Sequence, residues 1–262
     1  RCLALLCAKW GSQQGLVDNN GVQTLAEFLQ DSDPAVSRYA LFGLGNLAVQ
    51  TCNHKKIFDS SAVTSVFPLA RNHNLEVRRG VAFFLNNLAT SPENHRRCES
   101  MGVLRPLVHL LSDEDLDVRL QTMVAVRQLS ASQKCSFQFI DELQGLKPLL
   151  ALGISDRLEI QREVAATLRN LSLGPPQNCS AIVRAGGAAV LMDFAVSADV
   201  EVAHQSLGVL ANFLETVESQ RTIFEVGVLQ RLKYVLRSRS VVCCREALRA
   251  LANLSSEYAL TS

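Results

Sequence analysis

The chain has 262 residues, of which 48% are hydrophobic but only 6% aromatic, and it contains 14 Gly and 7 Pro. This composition favours closely packed helices over a β-sandwich or a β-barrel. A formal net charge of +1 excludes a globally polybasic or polyacidic binder, and no apolar run approaches the roughly 18 residues of a membrane helix.

The first predicted element in chain order is a helix tail at residues 1–11, whose apolar pattern CLALLCA is not preceded by a Met. We therefore expect the chain to be a piece of a longer protein. Six similar segments follow, and each is predicted to form a short helix, a middle helix, a polar turn and a longer third helix. We place these segments at residues 12–52, 53–93, 94–135, 136–177, 178–218 and 219–262.

A recurring motif defines the segments. ALFGLGNLA around Asn46 returns as VAFFLNNLA around Asn87, and related forms follow at steps of 41 or 42 residues. A fixed period of this length is typical of stacked helical repeats. The aligned amide position, the Asn column, holds Asn46, Asn87, Gln128, Asn170, Asn212 and Asn253.

The polar turn before each third helix carries signals for a helix start. DSDPAV and SDEDLDV are two examples of these turns. Asp, Asn and Ser are preferred N-cap residues, and Pro34 suits a first helical turn. The turn chemistry and the repeat period therefore predict the same helix boundaries.

The aligned pattern resembles the armadillo repeat. Gly21–Ala48 and Gly102–Ser130 are good matches to its pattern of G-x-x-x-L-x-x-L-L, a polar turn and then an apolar position ten residues before the amide. HEAT repeats share the period but lack the Asn column. The resemblance covers essentially the whole chain and implies an all-α fold, a right-handed alpha-alpha superhelix of three-helix repeats. It also implies that the third helices line a concave groove, with the Asn column facing it.

A row of amide side chains is suited to peptide binding. Each amide has one acceptor and two donors, so it can bond both the N–H and the C=O groups of an extended backbone. The alternative is that each Asn bonds only to its neighbours in the fold. The repeated column favours a groove that holds an extended segment of a partner protein.

Basic and aromatic residues lie on the same stripe of these helices, four and eight positions before the Asn column. They are Arg38, Arg79, Arg162, Arg245 and Arg249, with Phe42 and Phe83. This strip predicts acidic or phosphorylated peptide partners. Intrahelical pairs such as Glu76–Arg79 are the alternative, worth about 0.2–0.5 kcal/mol each; Arg38 and Arg245 have no acid three residues before them.

The strip also bears on the subtype within the family. Importin-alpha-type receptors place a Trp four residues before the Asn, whereas this chain has Phe42 and Phe83 there, and a basic strip would repel a basic signal. The resemblance is therefore closer to beta-catenin-like or to vacuolar and organelle-tethering armadillo scaffolds. It implies a cytoplasmic adaptor, with the nucleus or an organelle surface as alternatives, and membrane contact only through a lipid anchor outside this sequence.

Catalytic and metal-binding signatures are missing from the sequence. HExxH, GxSxG, GxxxxGK[ST] and GxGxxG do not occur, so we predict no enzyme and no cofactor. The eight Cys form no CxxC pair and are predicted to be mostly buried thiols in a reducing compartment. His54 lies near Cys52, but two further metal ligands are lacking.

Two other function classes remain open. The chain is alternatively a structural module that orients a catalytic domain outside this sequence, such as a ubiquitin ligase. Nucleic-acid binding through the basic strip is disfavoured, because stacking aromatics are few and the positive charge does not extend over a broad face.

Overall fold

The computed structural model describes residues 6–215 and 217–258, which form two compact units, residues 1–135 and 136–262. Every regular element in these described ranges is helical. Part of the predicted helix tail, residues 1–5, lies outside them. No helix in the described part of the chain is long and apolar enough to cross a membrane.

The helices of the first unit follow one another in groups of two short helices and one long one. They are α1 (Trp10–Asp18), α2 (Gly21–Phe28), α3 (Pro34–Ala48), α4 (Thr51–Asp59), α5 (Ala62–Val66), α6 (Leu75–Ala89), α7 (His95–Met101), α8 (Leu104–Leu110) and α9 (Leu116–Leu129). Short 3₁₀ segments at Phe67–Arg71 and Pro92–Asn94 extend α5 and precede α7. The long helices α3, α6 and α9 pack side by side.

The same order returns in the second unit. After α10 (Gln133–Phe137) and a π-helical turn at Gln138–Glu142 come α11 (Leu146–Leu152), α12 (Leu158–Ser172), α13 (Pro176–Arg184), α14 (Gly187–Phe194), α15 (Val200–Phe213), α16 (Val217–Glu225), α17 (Val228–Val235) and α18 (Val241–Tyr258). The long helices α12, α15 and α18 pack side by side. In five of the six groups the first helix begins two or three residues before the predicted limit, whereas α7 begins one residue after it. The repeat limits themselves stay a prediction.

The turn before each long helix is built by the side chains that the sequence singled out. In all six turns a side-chain oxygen accepts the backbone N–H of the residue two positions later. Asp33, Asn74, Asp115 and Asp199 then cap their helices by accepting a first-turn N–H. Such caps contribute typically about 1 kcal/mol each.

Apolar columns of the repeat form the core, and one column is irregular. Val77, Val118 and Val202, which share a register position, are all at most 1% exposed. Three residues before the Asn column stand mostly small side chains, but α6 has Phe84, which is fully buried. The other members of this column are Gly43, Ala125, Thr167, Val209 and Ala250.

The thiols are mostly buried, as predicted. Burial raises the pKa of Cys98 to about 12 and that of Cys179 to about 11. Cys52 is the exposed exception among the described cysteines.

A row of buried polar side chains at the start of the first helices was not predicted. Nδ2 of Asn94 donates to the carbonyl of Leu88 at 2.9 Å, and Asn53 bonds Leu47 in the same way at 3.0 Å. Nδ2 of Asn94 also lies 2.7 Å from Nδ1 of His54, whose Nε2 bonds the carbonyl of Ala48 at 2.7 Å. These side chains satisfy carbonyls at the end of the preceding long helix. Both nitrogens of His54 are thereby used within the protein.

We expect Asn94→Ala to lower the free energy of unfolding by about 1–3 kcal/mol, because it leaves a buried carbonyl and a buried imidazole nitrogen without a donor. Denaturant unfolding followed by circular dichroism measures the change. Gln14→Ala is the control, since Gln14 is exposed and bonds only Asp18 on its own helix. An Asn94→Ala protein as stable as the control would show that the row does not hold the helices together.

Candidate functional site

The predicted site residues lie on the long helices, and we call the surface formed by the Asn column and the positions four and eight residues before it the third-helix face. It comprises α3, α6 and α9 in the first unit and α12, α15 and α18 in the second. The predicted residues have different surroundings in the two units.

The first unit has a cavity of about 490 Å³ on this face, between α3 and α6. Phe42 stands 48% exposed at the cavity. Phe83 packs over Gly45, where an added Cβ would lie 2.7 Å from its ring. A Cβ added at Gly80 would lie 2.8 Å from the side chain of Leu41. The two glycines therefore allow α3 and α6 to approach closely. The lining residues are Arg38, Tyr39, Phe42, Glu76, Arg79, Gly80 and Phe83.

Arg79 is held by acids of its own chain. Its Nη2 and Nε lie 2.8 and 3.1 Å from the carboxylate of Asp115, and its Nη1 lies 3.2 Å from Glu76. Asp117 adds a third carboxylate at 3.3 Å. The hydrogen bond from Arg79 is the main reason why the pKa of Asp115 lies below its ordinary range. Asp115 thus caps α9 and also binds the arginine of the preceding long helix.

Arg162 repeats this arrangement in the second unit. Its Nη2 and Nε lie 2.6 and 3.3 Å from the carboxylate of Asp199, the N-cap of α15. The predicted intrahelical partners were acids on the same helix. The observed partners of Arg79 and Arg162 come 36 and 37 residues later, at the start of the next long helix.

Arg38 has no such partner. The residue 36 positions later is Asn74, which caps α6 with its side-chain oxygen but carries no charge. The guanidinium of Arg38 stacks over the ring of Tyr39, 5.1 Å from its centroid. Within the described residues Arg38 makes no ion pair, and it remains half-buried at the cavity.

The amides of the first unit are only partly satisfied. Nδ2 of Asn87 donates to the carbonyl of Gly45 at 3.2 Å, so this side chain joins two neighbouring long helices. Nδ2 of Asn46 is buried without a hydrogen-bond partner. Gln128 is half-buried, and its side chain forms no hydrogen bond within the described part of the chain.

The amides of the second unit serve the fold. Asn212 is only 6% exposed; its Nδ2 donates to Oγ of Ser172 at 2.9 Å and its Oδ1 accepts from Arg249 at 2.9 Å. Nδ2 of Asn253 donates to the carbonyl of Ala211 at 2.9 Å, in the register of Asn87 and Gly45. Asn170 is half-buried and is also bonded. The side chain of Asn212 is therefore used within the fold, which was the alternative to binding a peptide in the groove.

A buried carboxylate holds the cations of the second unit together. Glu246 accepts from Nε of Arg249 at 2.9 Å and lies 3.6 Å from Arg169 and 3.7 Å from His204. Burial raises the pKa of Glu246, but the hydrogen bond from Arg249 and the charges around it outweigh burial, so this pKa lies below its ordinary value of 4.5. Glu246 was not among the predicted site residues.

Arg249 and Arg245 have opposite surroundings. Besides Glu246, Arg249 donates to the carbonyl of Gly208 at 2.9 Å. A Cβ at Gly208 would overlap the guanidinium of Arg169, which explains a glycine at this position of the face. Arg245 is exposed and forms no ion pair within the described residues. The structure therefore brings Arg38, Phe42, Arg79 and Phe83 together in one cavity, whereas Arg249 is engaged by the fold.

The armadillo-like family model matches residues 18–194, more than half of the chain. The chain therefore belongs to the armadillo-like family. No curated protein sequence matches it.

Solved structures of designed proteins share the fold. An engineered protein is 29% identical, with a TM-score of 0.85 over 97% of this chain and 62% of that chain. A designed armadillo repeat protein in complex with the peptide (KR)4 is 21% identical, with a TM-score of 0.79 over 89% of this chain and 99% of that one. Computationally designed armadillo repeat proteins for modular peptide recognition give 22%, with a TM-score of 0.81 over 88% and 99%. The predicted fold class, an all-α armadillo-type solenoid, is confirmed.

Proposed function

We propose that this protein is a scaffold that binds other proteins through extended peptide segments, and that the third-helix face of the first unit is the binding surface. The observation that carries the proposal is the cavity between α3 and α6. Phe42 stands half exposed beside Arg38, which makes no ion pair within the described residues, whereas the neighbouring Arg79 is neutralised by Asp115 and Glu76. Concave sites of this kind combine apolar lining with a few convergent polar groups.

The cavity chemistry indicates what kind of peptide binds. Phe42 and Phe83 offer apolar surface to a large side chain of the partner, and Arg38 attracts a carboxylate or a phosphate. The designed protein mentioned above holds a peptide of opposite charge, (KR)4. Binding of acidic or phosphorylated segments is therefore proposed from the cavity residues of this chain. The armadillo architecture alone does not determine the charge of the bound peptide.

The Asn column has a smaller role in this proposal than the sequence predicted. Within the described residues, Oδ1 of Asn87 and the amide of Gln128 form no hydrogen bond, which leaves them open to the backbone of a peptide. Further predicted contacts with the peptide, on which the proposal depends less, are Asn46, Asn170, Asn253, Arg162 and Arg245. The beta-catenin-like or organelle-tethering subtype, the adaptor role and the cytoplasmic location also remain predictions, and the buried thiols are compatible with a reducing compartment.

A second candidate is a structural module that packs against another folded domain and orients it. The two candidates differ in the residues they need: the module does not require Phe42.

Selection from a displayed library of 12-residue peptides tests the proposed function. We expect the enriched peptides to combine a large apolar residue with an acidic one, and we expect Phe42→Ala to weaken their binding at least about tenfold, because an anchor side chain in a pocket dominates binding energy. Phe137→Ala is the control, since Phe137 of α10 is 56% exposed. Failure to enrich any peptide, or equal binding by both variants, would contradict the proposal.

A further inference from the structure

The long helices follow a rule of charge pairing between repeats. Within each unit, an arginine eight residues before the Asn column is bound through two nitrogens by the N-cap aspartate of the next long helix. Arg79 and Asp115 follow this rule in the first unit, and Arg162 and Asp199 in the second. Such two-point ion pairs fix both the position and the orientation of the guanidinium.

Arg38 lacks this ion pair with the N-cap residue of the next long helix. Asn74 occupies the place of the aspartate and keeps its capping role, accepting the N–H of Glu76 at 2.9 Å. The helix start is therefore preserved while the negative charge is removed. Since Asn and Asp are about equally good N-caps, the fold does not require the uncharged residue here.

We propose that the partner supplies the missing anion. A carboxylate or phosphate of the bound peptide pairs with Arg38 as Asp115 pairs with Arg79, while the adjacent apolar side chain enters the cavity beside Phe42. Asn74 then determines specificity, because its uncharged side chain leaves Arg38 available to the anion of the peptide. This inference rests on the proposed function and adds that Arg38 is the residue that binds the acidic side chain of the peptide.

The other charges around the cavity are consistent with this position. Glu76 also lines the cavity, and its carboxylate is held 3.2 Å from Nη1 of Arg79. Arg79 is already shared among three carboxylates. An incoming anion is therefore repelled on the side of Arg79 and attracted on the side of Arg38.

The reciprocal variants Asn74→Asp and Asp115→Asn test the inference. The probe is a peptide enriched in the selection, synthesised with Asp, with phosphoserine or with Asn at its acidic position. For the unaltered protein we expect the Asp or phosphoserine form to bind about tenfold more tightly than the Asn form, and the difference between the two anionic forms identifies the preferred source of charge. Asn74→Asp should abolish the advantage of the anionic forms without weakening the Asn form. Asp115→Asn, which also keeps a capping residue, should preserve or enlarge that advantage.

The inference also predicts a change in the Asn74→Asp protein when no peptide is present. In Asn74→Asp the Nε–H signal of Arg38 in a nitrogen–proton correlation spectrum should shift, and the thermal midpoint should rise, because an internal ion pair forms. An unchanged signal would overturn the register argument. Enriched peptides without an acidic residue, or an anionic advantage that survives Asn74→Asp, would overturn the inference while leaving peptide binding intact. If no peptide is enriched, the proposed function fails and the inference fails with it.

Discussion

Replacing Phe84 by alanine is expected to lower the free energy of unfolding by about 3–5 kcal/mol, the usual range for a fully buried Phe. Phe84 is among the largest side chains that are completely buried. Its counterparts in two other repeats are alanine, Ala125 and Ala250. Alignment of the repeats alone would therefore rate the substitution as harmless.

The large effect is expected because the whole ring of Phe84 is enclosed. The helix that carries it, α6, packs on the 3₁₀ segment Phe67–Arg71 that continues the middle helix α5. Removing the ring would leave a cavity that the surrounding helices fill only in part. Phe42→Ala is the control in denaturant unfolding and should cost less than about 1 kcal/mol, since half of Phe42 is exposed. Equal losses for the two variants would refute this packing argument.

Replacing Glu246 by glutamine is the second change with a large expected effect. Removing one partner of a buried ion pair costs about 3–5 kcal/mol, and we expect about 2–3 kcal/mol at pH 7, because Arg169 and Arg249 keep some contact with water. Glu225→Gln is the control, because its carboxylate is exposed and pairs with the exposed Arg221 of the same helix. Denaturant unfolding of the three proteins measures the losses.

The stabilisation by Glu246 should depend on pH in a defined direction. Its pKa in the folded state lies below the ordinary value of 4.5, so folding favours the ionised form. The contribution is complete above that ordinary value and is lost as the pH falls through the lower folded-state pKa. The stability difference between the natural protein and Glu246→Gln should therefore shrink under acid conditions. A difference that stays constant down to about pH 3 would contradict the role of the charge.

Much of the fold could be predicted because the repeat makes every signal appear several times. A single turn such as SDEDLDV is ambiguous, whereas six aligned polar turns predict where the long helices begin. Phe84 shows the limit of this reasoning. The period indicates that its position is buried, but it does not indicate room for a ring, because the other repeats carry smaller side chains there.

The surroundings of the site were harder to predict, because they depend on contacts between repeats. Asp115 and Asp199 were interpreted as helix caps, and their second role required comparing residues 36 or 37 positions apart. Arg38 was favoured as available because no acid lies three residues before it. The structure adds the decisive fact that Asn74 replaces the aspartate of the next helix.

A nitrogen–proton correlation spectrum recorded while a selected acidic peptide is titrated tests the central claim most directly. The account predicts that the Nε–H signal of Arg38 and the backbone signals around Phe42 and Phe83 shift in proportion to occupancy, while the side-chain signal of Arg249 stays in place. Saturable shifts that leave Arg38 and Phe42 unchanged would contradict it, because the peptide would then bind a different surface.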